Sequence, residues 1–362
     1  QLPTALIDHV TAISDWVVVL PVILCLMGGA LLLVMRKSRF GQAGFAILVT
    51  LGVIVIDVTL LLRTLDGPVS MTMGKWLPPF GIAFTADVMS ASFALGAAIA
   101  ALAVLFYSQA ELEAREVRHG FHALVLLLLG GVSGAFLTGD IFNLYVWFEV
   151  MLIASFGLMI MGGRKIQLDA AVKYGFLNFL ATTFFLTALG LLYGLVGTLN
   201  MSDIVRAAAE APKVPMMAIA SLLLLAFGMK AAAFPVNAWL PASYHAPDAG
   251  VSALFAGLLT KVGAYALLRS LVVLMPATRE SLEPVLVVIA VGTLVLAPPG
   301  ALAQTNLRRA LGFFVLRGIG AIISCLAIRK PDGLQVVASS AFNPLFVLTP
   351  CCRLAALVSA PP

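Results

Sequence analysis

Apolar runs of close to twenty residues follow one another from one end of the sequence to the other, and nothing constrains the fold more. A run of that length matches the hydrocarbon thickness of a bilayer when it is helical. Inside lipid every backbone N–H and C=O must be satisfied within the protein, which leaves helices or a closed barrel. Barrel strands alternate apolar and polar residues, and these runs do not. With 61% hydrophobic and 11% charged residues the chain also lacks the polar surface of a water-soluble domain. The reading is an all-α, polytopic membrane protein, and a soluble enzyme is excluded. At about twenty residues per span, helices are expected near 16–35, 43–62, 86–107, 121–138, 141–162, 174–197, 214–234, 249–275, 282–302 and 310–328, ten in all. The connectors 63–85 and 198–213 are long enough for a hairpin or a surface helix but not for a domain. The apolar tail 333–358 is broken by Pro344 and Pro350, which leaves an eleventh span open. QLPTALIDHV lacks the Met and the basic stretch of a signal peptide, so the first run is expected to be a retained span on a chain trimmed at its front.

The net charge of +5 comes from short basic clusters between apolar runs. That pattern sets membrane orientation and does not suit nucleic acid. With the N-terminus outside, the inner connectors hold Arg36, Lys37, Arg39, Arg115, Arg118, Arg164, Lys165, Lys173, Arg308 and Arg309, ten residues against six in the outer ones. The positive-inside rule therefore favours N-out in a cell (inner) membrane. Cys25, Cys325, Cys351 and Cys352 show no C-x-x-C spacing, and neither a P-loop nor a dinucleotide-binding G-x-G-x-x-G is present. No metal, no cofactor and no catalytic chemistry are expected on this chain.

Each ionisable side chain at a span centre costs about 2.5–3.5 kcal/mol on insertion scales, so the few present are informative. Four lie well inside expected spans: Asp57, Glu149, Lys230 and Lys261. Glu149, in DIFNLYVWFEVMLIASFGLM, stands about 12 Å into its helix at 1.5 Å per residue. Lys261 is central in VSALFAGLLTKVGAYALLRS, too far from either end to snorkel. Lys230 precedes Pro235, which removes the amide that would bond the Ala231 carbonyl and so breaks the helix beside the lysine. Interrupted helices facing a charge are how transporters build ion pathways. Asn237, Trp239, Tyr244 and His245 continue the polar line. His245, Asp140 and Asp57 stand as accessory candidates. The simpler readings are a loop residue for His245, a helix cap for Asp140 and a structural carboxylate for Asp57. Gly130/Gly134 and Gly190/Gly194 read as close-packing helix faces.

TGDIFNLYVWFEVMLIASFGLM and FPVNAWLPASYHAPDAGVSALFAGLLTKVGAYALLR together resemble the antiporter-like family shared by Mrp-type multisubunit cation/proton antiporters and the proton-pumping membrane subunits of respiratory complex I. The resemblance covers about 16–311. It implies ion translocation by Glu149, by Lys230 on a broken helix seven and by Lys261 on helix eight. In the mechanism this suggests, Glu149 holds Lys230 charged, and opening that pair sends a proton toward Lys261. The resemblance also implies two inverted five-helix repeats: N-terminal helices 1–120, a complete first repeat 121–275, an incomplete second repeat over 282–330 and a divergent tail 331–362. After ALAQTNLRRALGF the sequence departs from the family pattern, with Phe314 where a histidine is expected and Arg317 foreign to it. The partners implied are further subunits of a membrane antiporter complex, protons, a monovalent cation such as Na⁺ and the bilayer. The rival readings are a proton-pumping subunit of a respiratory NADH-quinone oxidoreductase-like complex and a non-transporting scaffold.

Overall fold

The computed structural model describes residues 12–35, 39–73, 76 and 81–327; the tail with Pro344, Pro350, Cys351 and Cys352 lies outside them. A 3₁₀ helix (Ile13–Val18) leads into α1 (Leu20–Val34) and α2 (Arg39–Thr64), followed by strands β1 (Val69–Thr72) and β2 (Ala83–Ala86). Next come α3 (Val88–Ser108), α4 (Ala114–Arg118), α5 (Phe121–Leu137), α6 (Ile141–Met159), α7 (Lys165–Val196), α8 (Met201–Glu210) and α9 (Lys213–Ala231). The chain continues through α10 (Trp239–Ser243), α11 (Ala249–Leu254), a π-helical turn (Phe255–Leu259), α12 (Thr260–Leu267) and a second π stretch (Leu268–Leu274) to α13 (Pro276–Leu302) and α14 (Leu307–Ala327). Eight of these are long and apolar enough to cross a membrane, with Ala249–Leu274 counted as one, and α1 and α5 are shorter apolar helices. Together they account for the ten expected runs, and the chain is an all-α, multi-pass membrane protein.

The chain divides into two units. The first comprises Gln1–Leu102, Glu113–Ala154 and Leu186–Ile219. Here α1 packs against α2 and α5. The close fit depends on small residues: a Cβ at Gly130 would stand 3.0 Å from the Cys25 Cβ, and one at Gly134 would meet the Trp147 ring at 2.4 Å. The glycine faces of α5 are thus packing surfaces, as expected. Gly190 and Gly194 are not, since nothing described lies within 4 Å of either added Cβ. Spacing by four residues tells which glycines share a face but not whether a neighbour covers it.

The connector 63–85 does form a hairpin, with Val69 opposite Ala86 and Thr72 opposite Ala83. It is fixed to the α5–α6 turn by the Gly139 amide, which donates to the Ala83 carbonyl at 2.8 Å. That turn in turn accepts the Met201 amide on the Gly139 carbonyl at 2.9 Å, where the expected surface helix α8 begins. The Asn200 side chain caps α8, accepting from the Ser202 amide at 3.0 Å.

The second unit comprises Ala103–Leu112, Ser155–Phe185 and Ala220–Pro362. In it α13 packs against α14, where a Cβ on Gly320 would come within 2.8 Å of Leu294. Helix α13 begins at Pro276 and not near 282. Proline suits a first helical position because its missing amide has no partner there in any case, so the charged residues Arg279 and Glu280 are helical and not part of a loop. The run expected as one uniform helix over 249–275 is interrupted by its two π segments.

Candidate ion-translocation site

Lys230 stands one residue before the end of α9 and is 6% exposed. The helix ends at Ala231, upstream of Pro235, and Ala232 takes a left-handed φ of 59°. For a residue with a Cβ that conformation costs about 1–2 kcal/mol, so surrounding contacts must hold it. Several do. The Ala233 amide donates to the Gly228 carbonyl at 2.8 Å, the Phe234 amide to Thr293 Oγ1 on α13 at 2.9 Å, and the Trp239 indole N–H to the Met229 carbonyl at 3.1 Å. The break predicted from Pro235 is present, and side chains on either side of it satisfy its backbone groups, as buried polar groups require.

Lys261 is 2% exposed, in the first turn of α12. Its Nζ donates to the Ala256 carbonyl at 3.1 Å, five residues back and inside the π-helical turn. π turns inside α-helices concentrate at functional positions. Two residues on is Gly263, where a Cβ would lie 2.8 Å from the Ala231 amide nitrogen and 3.0 Å from the Lys230 carbonyl carbon. Only glycine permits that approach, and it brings the lysine-bearing end of α9 against the helix that carries Lys261.

An aromatic wall and a polar ladder complete this region. Tyr174 stacks on Phe255, in the π turn, with centroids 6.4 Å apart, and Trp239 lies 5.6 Å from the rings of both Tyr174 and Tyr244. The Tyr174 hydroxyl is 2.7 Å from Ser155 Oγ, Asn178 Nδ2 donates to the Tyr174 carbonyl at 2.8 Å, and the Thr182 hydroxyl donates to the Asn178 carbonyl at 3.2 Å. Attention to charges alone missed Tyr174, Asn178 and Thr182. Their four-residue spacing puts them on one stripe of α7, and that was the signal available.

At the turn between α10 and α11, His245 is a loop residue, as the simpler reading had it. Its Nδ1 lies 3.0 Å from the Pro241 carbonyl, and Arg309 Nε donates to its Nε2 at 3.3 Å. Nε2 can accept only when unprotonated, so Nδ1 carries the proton. Burial, then the Arg309 charge, holds the imidazole below the ordinary histidine range, partly opposed by the Pro241 hydrogen bond. The same turn is held by Arg308 donating to the Pro247 carbonyl at 3.1 Å, by an Arg164–Asp248 ion pair at 2.5 Å, and by Glu111, which accepts from the Ala249 and Gly250 amides at 3.2 and 3.3 Å. Glu111 acts as a cap for α11 that lies 138 residues away in sequence.

Of the remaining expected residues, Asp140, Glu149 and Asp57 belong to the first unit and Phe314 and Arg317 to the second. Asp140 is a cap: its Oδ1 accepts from the Phe142 and Asn143 amides at 2.8 and 2.9 Å. Glu149 is partly buried on α6, and its Oε1 has no hydrogen-bond partner among the described residues. Asp57 is fully buried on α2, and neither of its oxygens has such a partner. Phe314 and Arg317 are exposed on α14. No group of side chains suited to hold a metal occurs among the described residues.

Residues 138–343 match the family model described as NADH:quinone oxidoreductase/Mrp antiporter, transmembrane. The chain is 36% identical over 324 residues to a Bacillus subtilis protein named as one subunit of an Na(+)/H(+) antiporter, an alignment that covers 88% of this chain and 65% of that one. It therefore spans just under two thirds of that relative's length. Among solved structures it superposes on a chain of the Mrp complex from Dietzia sp. DQ12-45-1b with a TM-score of 0.89 and 28% identity, over 96% of this chain and 65% of that one. It also superposes on a chain of respiratory complex I from Thermus thermophilus with a TM-score of 0.79 and 25% identity, over 93% and 71%.

Proposed function

The chain belongs to the NADH:quinone oxidoreductase/Mrp antiporter transmembrane family, and on that footing we propose that it is a membrane subunit of a multisubunit monovalent cation/proton antiporter. Lys230 and Lys261 carry the proton step, and Glu149 supplies the carboxylate of the relay by family position. The supporting observation is the setting of Lys261, buried mid-span on a single backbone carbonyl, in a helix that Gly263 lays against the broken end of α9. An ammonium held by one neutral acceptor can give up its proton and keep its place, whereas one locked to a carboxylate is held charged.

The exchanged cation is proposed to be Na⁺, after the name of the Bacillus subtilis relative. The complex sits in the cell membrane with this chain's N-terminus outside. Residues 121–275 form a first five-helix repeat and 282–330 the start of a second. Likeness to a respiratory complex I chain supports a second reading, a proton pump powered by redox partners.

The test is proton flux in everted vesicles carrying the whole complex. Arginine keeps its proton at any accessible pH, so Lys261→Arg is expected to stop flux while assembly persists, and Glu149→Gln likewise. Normal flux in Lys261→Arg would overturn the relay. Flux that requires sodium separates the antiporter from the redox-driven pump.

A further inference from the structure

The lysine site leaves one charged residue unused. Asp57 lies on the buried stripe of α2, which runs Ala46, Thr50, Val53, Asp57, Leu60, Thr64, so its carboxyl points into the helix packing and away from lipid. It is 0% exposed, and neither oxygen accepts a hydrogen bond from any described residue. The hydroxyls of the same helix are committed elsewhere, Thr50 to the Ala46 carbonyl, Thr59 to the Val55 carbonyl and Thr64 to the Leu61 carbonyl. On α1, Cys25 lies within electrostatic reach of the carboxyl. Cys25 itself packs on Gly130 of α5, one turn from Ser133, whose buried hydroxyl also lacks a described partner. The other titratable groups on elements packed against α2 are Asp15 on the 3₁₀ helix, His122 on α5, and Arg115, Glu116 and Arg118 on α4. None of them is hydrogen-bonded or ion-paired to Asp57.

An ionised carboxylate without cation or donor is too costly to hold in an apolar interior, and such a group is neutralised instead. No described side chain supplies a counter-charge, and no metal-holding group of His, Cys, Asp and Glu side chains occurs among the described residues. A proton is the ligand that fits. We propose that Asp57 is a second proton-binding site, within the α1–α2–α5 packing of the first unit, which exchanges its proton with water during turnover and is separate from the lysine relay. A carboxyl with only a structural role would hold a fixed hydrogen bond to a neighbour, and this one has none among the described residues.

Infrared difference spectroscopy on the intact, reconstituted complex tests this, comparing wild type with Asp57→Asn at neutral pH. The expected difference is the C=O stretch of a protonated carboxylic acid, shifting in deuterium oxide within the time of a transport assay, together with a displaced pH profile of flux in the variant. Carboxylate bands in place of the acid band, an acid that does not exchange deuterium, or an unchanged pH profile would each overturn the proposal. If Asp57→Asn does not assemble, Asp57→Glu keeps the acid and gives the same comparison as a displaced acid band. The spectrum does not depend on the lysines, so its failure is distinguishable from failure of the relay, which Lys261→Arg reports.

Discussion

Glycines inside apolar helical runs do opposite things here, and the neighbour decides which. At Gly263 an added methyl would meet backbone atoms of Ala231 and Lys230 that cannot rotate away, so Gly263→Ala should force apart the two lysine-bearing elements. Overpacking of this kind costs about 1–3 kcal/mol, visible as a lowered melting temperature and reduced flux. Gly190→Ala meets nothing within 4 Å and removes a flexible residue from mid-helix, so it should be neutral or stabilising by up to about 1 kcal/mol. Equal effects from the two would sink the close-approach argument. His245 gives a pH dependence with a definite sign. Its folded affinity for protons lies below the ordinary value because of burial and Arg309, so the unfolded chain binds the proton more readily. Stability from this contact is complete above the ordinary histidine pKa of about 6.5 and is lost as pH falls toward the folded value. Arg309→Gln removes one of the two main causes and should shrink the drop in melting temperature between neutral and mildly acidic pH. A drop as large as in wild type would show that the arginine does not matter.

At the scale of elements, the broken helix was legible in the sequence, and the reason it holds together was not. Pro235 announces a break because it has no amide. The side chains that satisfy the break, Thr293 and Trp239, are 59 residues and 10 residues from their partners. Nothing local in the sequence marks them. The π turns around Lys261 were equally invisible, since one extra residue per turn leaves an apolar run just as apolar. The spans, the hairpin, the surface helix and the Asp140 cap were readable because each depends on neighbours within a few positions. Thr293 gives this division a direct check. Thr293→Val keeps the shape but leaves the Phe234 amide without its acceptor, at a cost of about 1–3 kcal/mol for a buried group. Thr293→Ser retains the hydroxyl and should lose far less. The two variants should therefore differ in thermal stability, and in flux if the broken segment positions Lys230. Indistinguishable variants would mean that the amide finds another acceptor.

For the molecule as a whole, the connectors sort by parity. Within the second unit, Glu111 after α3, Arg164 before α7, the 245–250 turn and Arg308 and Arg309 before α14 are joined by hydrogen bonds and an ion pair. Counting spans from an N-terminus outside, each of these connectors falls on the inner side. Within the first unit the hairpin, the 138–140 turn and the start of α8 are joined in the same way, and each falls on the outer side. An error of one in the number of spans between two touching connectors would put them on opposite faces of the membrane, so these contacts support the count from α3 to α13 independently of hydropathy. They do not choose which face is inside; the proposed N-out orientation rests on the basic residues, because Lys and Arg near short loops tend to be retained in the cytoplasm. The prediction is that, with the native cysteines replaced, a single cysteine at Gln304 or Arg164 reacts with a membrane-impermeant maleimide in everted vesicles but not in intact cells, and one at Asp66 or Glu210 does the reverse. A full exchange of the two patterns would keep the fold and invert the orientation. A mixed pattern, with Gln304 and Arg164 reporting from different faces, would refute the span count itself, and the assignment of Lys261 to mid-membrane depth would fall with it.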